Sequence, residues 1–481
     1  MTGVQTCALP IYYNSSGVLQ HEQKEAGTAY EIKTEYLNRD AFGNPLKIKV
    51  STPGDPSVKA RETIFLYDNS GMYVAKETNP EGYVREAKYD PALGLLMAQK
   101  DIDGKWSYKD YDAFGKLTKE TLKDGNIINY NTQWQTGTEI ANALYYLQVS
   151  STAAPTIKTY FDAFGRDIYV VKQGFNGTNI HIRKSYNSKG LLIEETLPKF
   201  GSVDAANVKS YEYEPLFNRI KKETVKTTNI TSYSYDKLKT TTTFPDATTK
   251  ITEMYPSGKV KSVTDSKGSA VTYTYHGNGE IYTAKAYNNI VSFEYTNGLK
   301  TSMTDPDAGT MTYTYDALGQ LKTQLDGNQK TTSFTYDKLS RITTKTNTEG
   351  TTTYIYNTDG NGIGQLQSVT APNNSQTYSY EENGYVQSIT EVIKDRTFTT
   401  SLTYDSKGRV ATKTANTGQQ LNYFYNDYGY MYLVQNQANG TMTNVWQLNT
   451  KNAYNQTLTY GYGNGVNTTN TFDDFQLPSV L

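Results

Sequence analysis

The chain has 481 residues, enough for several ordinary domains or for one repeat architecture that lengthens by adding copies. Its 36% hydrophobic content is too low for one thick core, yet its 43 tyrosines and plentiful threonine set it apart from disordered chains, which are poor in aromatic and β-branched residues. Lys plus Arg total 47 against 48 Asp plus Glu, a formal net charge of -1 with no long run of one sign, which excludes electrostatic capture of nucleic acid. No apolar run reaches the roughly 18 residues of a membrane-spanning segment.

Residues 1–11 read like the conceptual translation of a sequencing-library adapter rather than native chain, and are set apart from the fold. Cys7, the only cysteine, falls in that stretch, so no disulfide, thiolate nucleophile or cysteine metal site is expected.

From residue 12 onwards a repeat takes over: an aromatic, Asp or Asn, two variable residues, Gly, one variable residue, then an aliphatic. Its clear copies carry Tyr67, Asp68 and Gly71; Tyr111, Asp112 and Gly115; Phe161, Asp162 and Gly165; Tyr186 and Gly190; Tyr315, Asp316 and Gly319; and Tyr404, Asp405 and Gly408. These are the residues expected to define the structural motif. Tyr235, Tyr255, Tyr275, Tyr295 and Tyr315 follow one another at intervals of 20 residues, and elsewhere the spacing stretches. The organisation in chain order is a repeat sheet over 12–122, an insertion over 123–158 that carries Trp134 and a less strand-like run at 139–146, and a continuing repeat sheet over 159–481. That sheet stops as another copy begins at Phe472, so the chain is expected to be a fragment cut at both ends.

One copy is legible in physical terms. Alternation in Thr310-Met311-Thr312-Tyr313-Thr314-Tyr315 puts Met311, Tyr313 and Tyr315 on one face of a strand and the threonines on the other. Asp316-Ala317-Leu318-Gly319 is turn chemistry, with a side chain that accepts from backbone two residues on and a Gly that tolerates positive φ. A return strand over 320–325 and a second turn at Asp326-Gly327-Asn328 complete the unit. Strands of about six residues make a ribbon only about 20 Å wide, which must curl to hide its edges. Successive tyrosines stacked along one face would then supply cohesion that grows with copy number. Where the turn Gly is missing, after Tyr235 and Tyr336, looser or differently shaped tips are expected.

No catalytic, cofactor-binding or metal-binding residue stands out. His21, His181 and His276 are far apart and lack ligand spacing. Asp112, Asp162, Asp316, Asp337 and Asp405 could be imagined as paired carboxylates of a glycosidase, but turn capping accounts for every copy whereas hydrolysis needs only two. The glycine-rich segments 360–364 and 461–465 read as longer hairpin turns, since neither opens a helix. Exposed tyrosines could stack on sugar rings; stacking on one another is the simpler reading.

The motif as it stands in Tyr315-Asp316-Ala317-Leu318-Gly319 and Tyr404-Asp405-Ser406-Lys407-Gly408, with threonine-rich strands before it, resembles the YD repeat of the RHS family. The likeness covers nearly all of residues 30–481. That family includes bacterial polymorphic toxins, the C components of insecticidal toxin complexes and the teneurins. The resemblance implies an all-β fold in which successive hairpins form a curved or spiral β-sheet shell, hollow and here partial. It implies a structural, encapsulating role without catalysis or cofactor, a C-terminal toxin domain as the enclosed partner in the full-length protein, and a secreted or cell-surface location. The family's self-cleaving aspartate site has no counterpart here, because Asp305-Pro306 lacks the glycine-rich continuation. A rival expectation from a different class is an adhesion or carbohydrate-binding module in which exposed tyrosines meet glycans.

Overall fold

A computed structural model of the protein describes residues 10–137, 140–152, 154–204, 206–473 and 476–479. Cys7 lies outside them, while Ile11 opens a strand, Ile11–Tyr13, that pairs with Leu19–Lys24. Among the described residues there are 42 strands and no helix, hence none long and apolar enough to cross a membrane. Strands pair antiparallel, almost always with their neighbour in sequence, so the chain is one long run of hairpins. The all-β hairpin architecture expected from the repeat is the one observed.

The repeat at Tyr315 displays the local logic. Strand Gly309–Tyr315 buries its Met and Tyr face more than its Thr face, in strict alternation. It pairs with Leu321–Leu325 from Thr312↔Leu325 to Tyr315↔Leu321, with a register shift at Tyr315 where the tip inserts its extra residue. Strand Thr331–Tyr336 then begins the next copy. On the exposed face, threonines opposite one another join across strands: Thr314 with Thr323 at 2.6 Å, Thr403 with Thr412 at 2.7 Å and Thr450 with Thr459 at 2.6 Å. Such cross-strand pairs contribute roughly 0.2–1 kcal/mol each.

The chain divides into two units. One comprises residues 10–115, 276–283 and 289–399; the other comprises 116–275, 284–288 and 400–479. Each therefore contains an early and a late stretch of the same ribbon. Few hydrophobic side chains are buried: Tyr83, Ala98, Tyr160, Ile180, Ala317, Val434 and Leu448 are those among the described residues. That is the signature of a single layer, in which ladder hydrogen bonds and half-buried aromatic faces replace a core.

Residues 123–158, set apart in the sequence as an insertion, supply Ile127–Trp134 and Tyr145–Ser151, paired from Ile128↔Ser151 to Trp134↔Tyr145. Tyr145–Ser151 then pairs with Ile157–Phe161, so this stretch runs on as a further hairpin of the same ladder. One local departure from simple meander order lies nearby. Asn179–Tyr186 pairs with Leu192–Thr196 through one half and with the two-residue strand Lys199–Phe200 through the other. At that fork Thr196 is wholly enclosed, and its hydroxyl accepts from the Arg183 N–H at 2.8 Å, satisfying a donor the fork would orphan.

Candidate functional site: hairpin tips, tyrosine latches and seams

The tip after Tyr315 is closed by two backbone bonds, Asp316 N–H to the Gln320 carbonyl at 2.9 Å and Gly319 N–H to the Asp316 carbonyl at 3.0 Å. Asp316 Oδ1 also accepts from Leu318 N–H and Gln320 N–H, both at 2.9 Å. Gly319 sits at φ +77°, the left-handed region that a Cβ penalises, which makes this a three-residue hairpin loop with a bulge. Asp68, Asp112, Asp162 and Asp405 accept from the tip backbone in the same manner, with Gly71, Gly115, Gly165 and Gly408 in the corresponding conformation. After Tyr186, Asn187 takes the place of Asp and Gly190 the place of the turn Gly.

The two tips without Gly behave differently from each other. After Tyr336 the expectation of an altered tip fails: Ser340 adopts φ +65° and both closing bonds form, Ser340 N–H to Asp337 at 3.1 Å and Asp337 N–H to Arg341 at 3.0 Å. The Asp337 side chain, accepting from Leu339 and Arg341 N–H, holds the shape without the glycine. After Tyr235 the tip does change, to a two-residue loop closed by Asp236↔Lys239 with Lys237 at φ +53°.

The motif tyrosines do something that ring stacking alone would not. In many copies the hydroxyl reaches back to the preceding hairpin and donates to a carbonyl at or next to the start of its return strand. Tyr315 donates to Lys300 at 2.8 Å, Tyr356 to Ile342 at 3.1 Å, Tyr380 to Leu366 at 2.6 Å, Tyr425 to Val410 at 3.0 Å and Tyr111 to Leu96 at 2.9 Å. Tyr186 donates to both the carbonyl and the carboxylate of Asp167, and burial followed by that carboxylate pushes its hydroxyl up to about 12. Burial likewise raises Tyr315, Tyr336, Tyr356, Tyr380 and Tyr425 above the ordinary phenol value. Phe161 has no hydroxyl, and its ring stacks on Tyr145 at 5.0 Å.

An arginine just after the tip ties one copy to the next. Arg166, Arg341 and Arg409 each pair with the motif aspartate four residues earlier, Asp162, Asp337 and Asp405, at 2.6 Å. The same guanidinium lies over the tyrosine ring of the following copy: Arg341 over Tyr356 and Arg409 over Tyr425, both at 4.1 Å, and Arg166 over Tyr186 at 4.8 Å. Burial opposes the charge on Asp162, only 6% exposed, and on Asp405, but hydrogen bonds from the arginine and the tip backbone outweigh it and hold both carboxyls below the usual range. Tyrosine–tyrosine contacts exist, as for Tyr73 on Tyr89 at 4.7 Å, but a cation covers many motif rings.

Within each unit the tips of the late stretch meet the loops on the opposite edge of the early stretch. In the first unit Arg61 donates to Ser340 Oγ at 2.9 Å and to Gln320 Oε1 at 3.1 Å, the Lys338 N–H donates to Glu81 at 2.9 Å, and the Tyr83 hydroxyl donates to the Asn357 carbonyl at 3.1 Å. Lys105 reaches Asn383 at 2.9 Å and Glu382 at 3.2 Å. In the second unit Asn426 donates to the Phe175 carbonyl at 2.6 Å, Tyr430 to the Gln173 carbonyl at 3.1 Å, and the Tyr428 hydroxyl fills the space a Cβ on Gly177 would need. Partners across these seams stand 251 to 279 residues apart in sequence. Arg61, Tyr83 and Tyr430 escape sequence reasoning because nothing local marks them, whereas Arg166, Arg341 and Arg409 recur visibly one residue after the tip.

The three histidines are held apart. His21 stacks on Tyr12 at 4.2 Å, His181 bonds the Tyr169 hydroxyl at 3.1 Å and His276 the Phe293 carbonyl at 3.0 Å. Asp305 caps a turn, accepting from Asp307 and Ala308 N–H. Among the described residues no group of three His, Cys, Asp or Glu side chains could hold a metal ion.

A profile of the teneurin YD-shell family matches residues 296–453, the stretch in which latch, arginine clasp and seam all recur. Over these residues the chain is similar to the teneurin YD shell. A comparison with curated proteins finds no match to this chain. Among solved structures, the complex of TcdB2-TccC3 with Cdc42 superposes with a TM-score of 0.77 at 12% identity, over 98% of this chain and 31% of that one. TcdB2-TccC3 without its hypervariable C-terminal region gives 0.77 at 13% identity over the same shares. The Photorhabdus luminescens Tc holotoxin pore gives 0.74 at 14% identity, over 93% of this chain and 30% of that one. The chain thus spans less than a third of the solved chains it matches, and what it shares with them is the fold.

Proposed function

We propose that this chain is a wall segment of an RHS-type shell, a container rather than a catalyst. It would belong to a larger bacterial toxin-type protein, secreted or displayed at the cell surface, with a C-terminal toxin domain as its cargo. The observation that carries the reading is the seam. A ribbon one sheet thick that fastens its own edges to each other 251 to 279 residues later makes a continuous wall from few buried residues. The matched structures are of toxin complexes, one of them defined by a removed hypervariable C-terminal region, which supports a payload at that end. Glycan binding finds no such support, since the motif hydroxyls and rings are engaged within the sheet.

Small-angle scattering tests the reading. A solid globule of this length has a radius of gyration of about 23 Å; a wall around empty space gives a distinctly larger value and a pair-distance distribution weighted toward long distances. A value at the globule figure would overturn the container reading.

A further inference from the structure

The seam bonds all run the same way: a loop on one edge meets a tip that comes 251 to 279 residues later in the chain. Apolar chemistry repeats across them. Leu339, at the end of its tip, shares a cleft with Pro80, Tyr83 and Ile102, and the Phe175 ring lies edge-on to Tyr430 at 5.9 Å. A covered loop thus offers apolar side chains to the tip of a much later copy.

Loops further along the same edge offer the same chemistry but stand open. In the second unit those at Phe244, Asp265 and Tyr287 line an open groove of about 460 Å³, walled mainly by Phe244, Val263, Val271, Ala286 and Tyr287. Tyr287 is 74% exposed there. The seam distance accounts for this, because 251 residues counted forward from Phe244 pass Leu481. The same count gives Phe42, Phe114, Phe164 and Phe217, each exposed at the end of its own tip, no loop 251 residues before it.

We infer that the Phe244–Tyr287 edge receives the tips of a further stretch of the same ribbon, carried on the same polypeptide, each presenting an apolar residue just before its turn Gly. The inference rests on the wall-segment reading and names what that wall meets next. Continuity with the existing seams carries it: the edge, the direction, the distance in sequence and the side-chain chemistry are those of contacts the chain already makes. This chain also spans under a third of the solved chains that share its fold.

Hydrogen exchange tests this in the chain alone and in an extended chain that continues after Leu477 with a second run of residues 321–430, which sets the copied Leu339 tip at the seam distance from Phe244. With the added run, the amides of residues 244–248 and 265–269 are expected to exchange about tenfold more slowly, as when a local opening becomes harder. Residues 79–83 and 101–105, already covered, should keep their rates. Leu339→Asp made only in the added run should restore fast exchange at residues 244–248. Unchanged exchange at those residues, or added strands that themselves stay unprotected, would overturn the inference. So would protection that appears in the chain alone and grows with concentration, since a second copy would then be the occupant. A radius of gyration well above the globule figure, with these loops still unprotected by the added run, would remove this inference and leave the container reading in place.

Discussion

The hydroxyl of Tyr336 donates to the carbonyl of Leu321, 2.8 Å away and fifteen residues earlier, at the point where the return strand of the preceding hairpin begins. The bond crosses from one copy to the previous one, so each tyrosine secures a neighbour as well as its own strand. Replacing Tyr336 with Phe keeps the ring and removes only this bond, and should cost about 1 kcal/mol in a chemical denaturation series. A change below about 0.3 kcal/mol would mean that water replaces the hydroxyl without loss.

Arg409 both pairs with Asp405 and covers the Tyr425 ring. Lysine keeps the charge but lacks the planar fork that serves both contacts at once. Arg409→Lys should therefore destabilise by about 1–2 kcal/mol, read from the same denaturation experiment. Equal stability of the two proteins would reduce the clasp to simple charge pairing.

Gly319 holds φ +77° with the Leu299 side chain 3.7 Å from where a Cβ would stand. Gly319→Val should cost about 1–2 kcal/mol, whereas Gly319→Asn should cost less than half as much, since Asn visits the left-handed region more readily. Thermal melting distinguishes them; matching losses would place the cost in side-chain crowding instead of backbone conformation.

Arg61 donates across the seam to two tips, at Ser340 and at Gln320, and its removal should act locally. In Arg61→Ala, the tip amides of residues 316–320 and 337–341 should exchange hydrogen about tenfold faster or more, as expected when a local opening becomes easier. The tip at Asp405, in the other unit, serves as the internal reference. Unchanged exchange at residues 337–341 would show that the ladder alone immobilises the tips.

Stability should fall away at both extremes of pH. Tyrosines whose native values are raised contribute stability that is complete below their ordinary value of 10.0 and lost as pH climbs through the native ones, up to about 12 for Tyr186. Asp162 and Asp405, whose values are lowered, contribute stability present above the ordinary carboxylate value and lost as pH drops through the native one. Urea midpoints measured across the pH range should trace a plateau with two falling shoulders, and a flat alkaline limb would contradict the tyrosine assignment.

Much of the ladder was legible beforehand because its causes are local. Alternation in Gly309–Tyr315 and the Asp–Gly pair after it need only neighbours within a few residues, and the tip at Tyr315 adopts the expected form. The tip at Ser340 deceived because a side-chain cap can impose a left-handed residue that composition would not suggest. The seams were illegible for a different reason: Arg61 and Ser340 are separated by 279 residues, and periodicity carries no information over such a distance. The tyrosine latch lay between these cases, since its residues recur visibly while the direction of the hydroxyl depends on how successive hairpins are offset.

The fixed offset across the seams bears on how such a gene can change length. Gaining or losing one whole copy anywhere between Phe175 and Gln320 would leave every hairpin intact, yet would slide the seam tips beside the wrong loops and separate Arg61 from Ser340, Tyr83 from Asn357 and Asn426 from Phe175. Duplication and deletion, normally harmless in a modular array, are here constrained by a count: viable descendants must preserve the number of copies between mating loops, or alter many loops together.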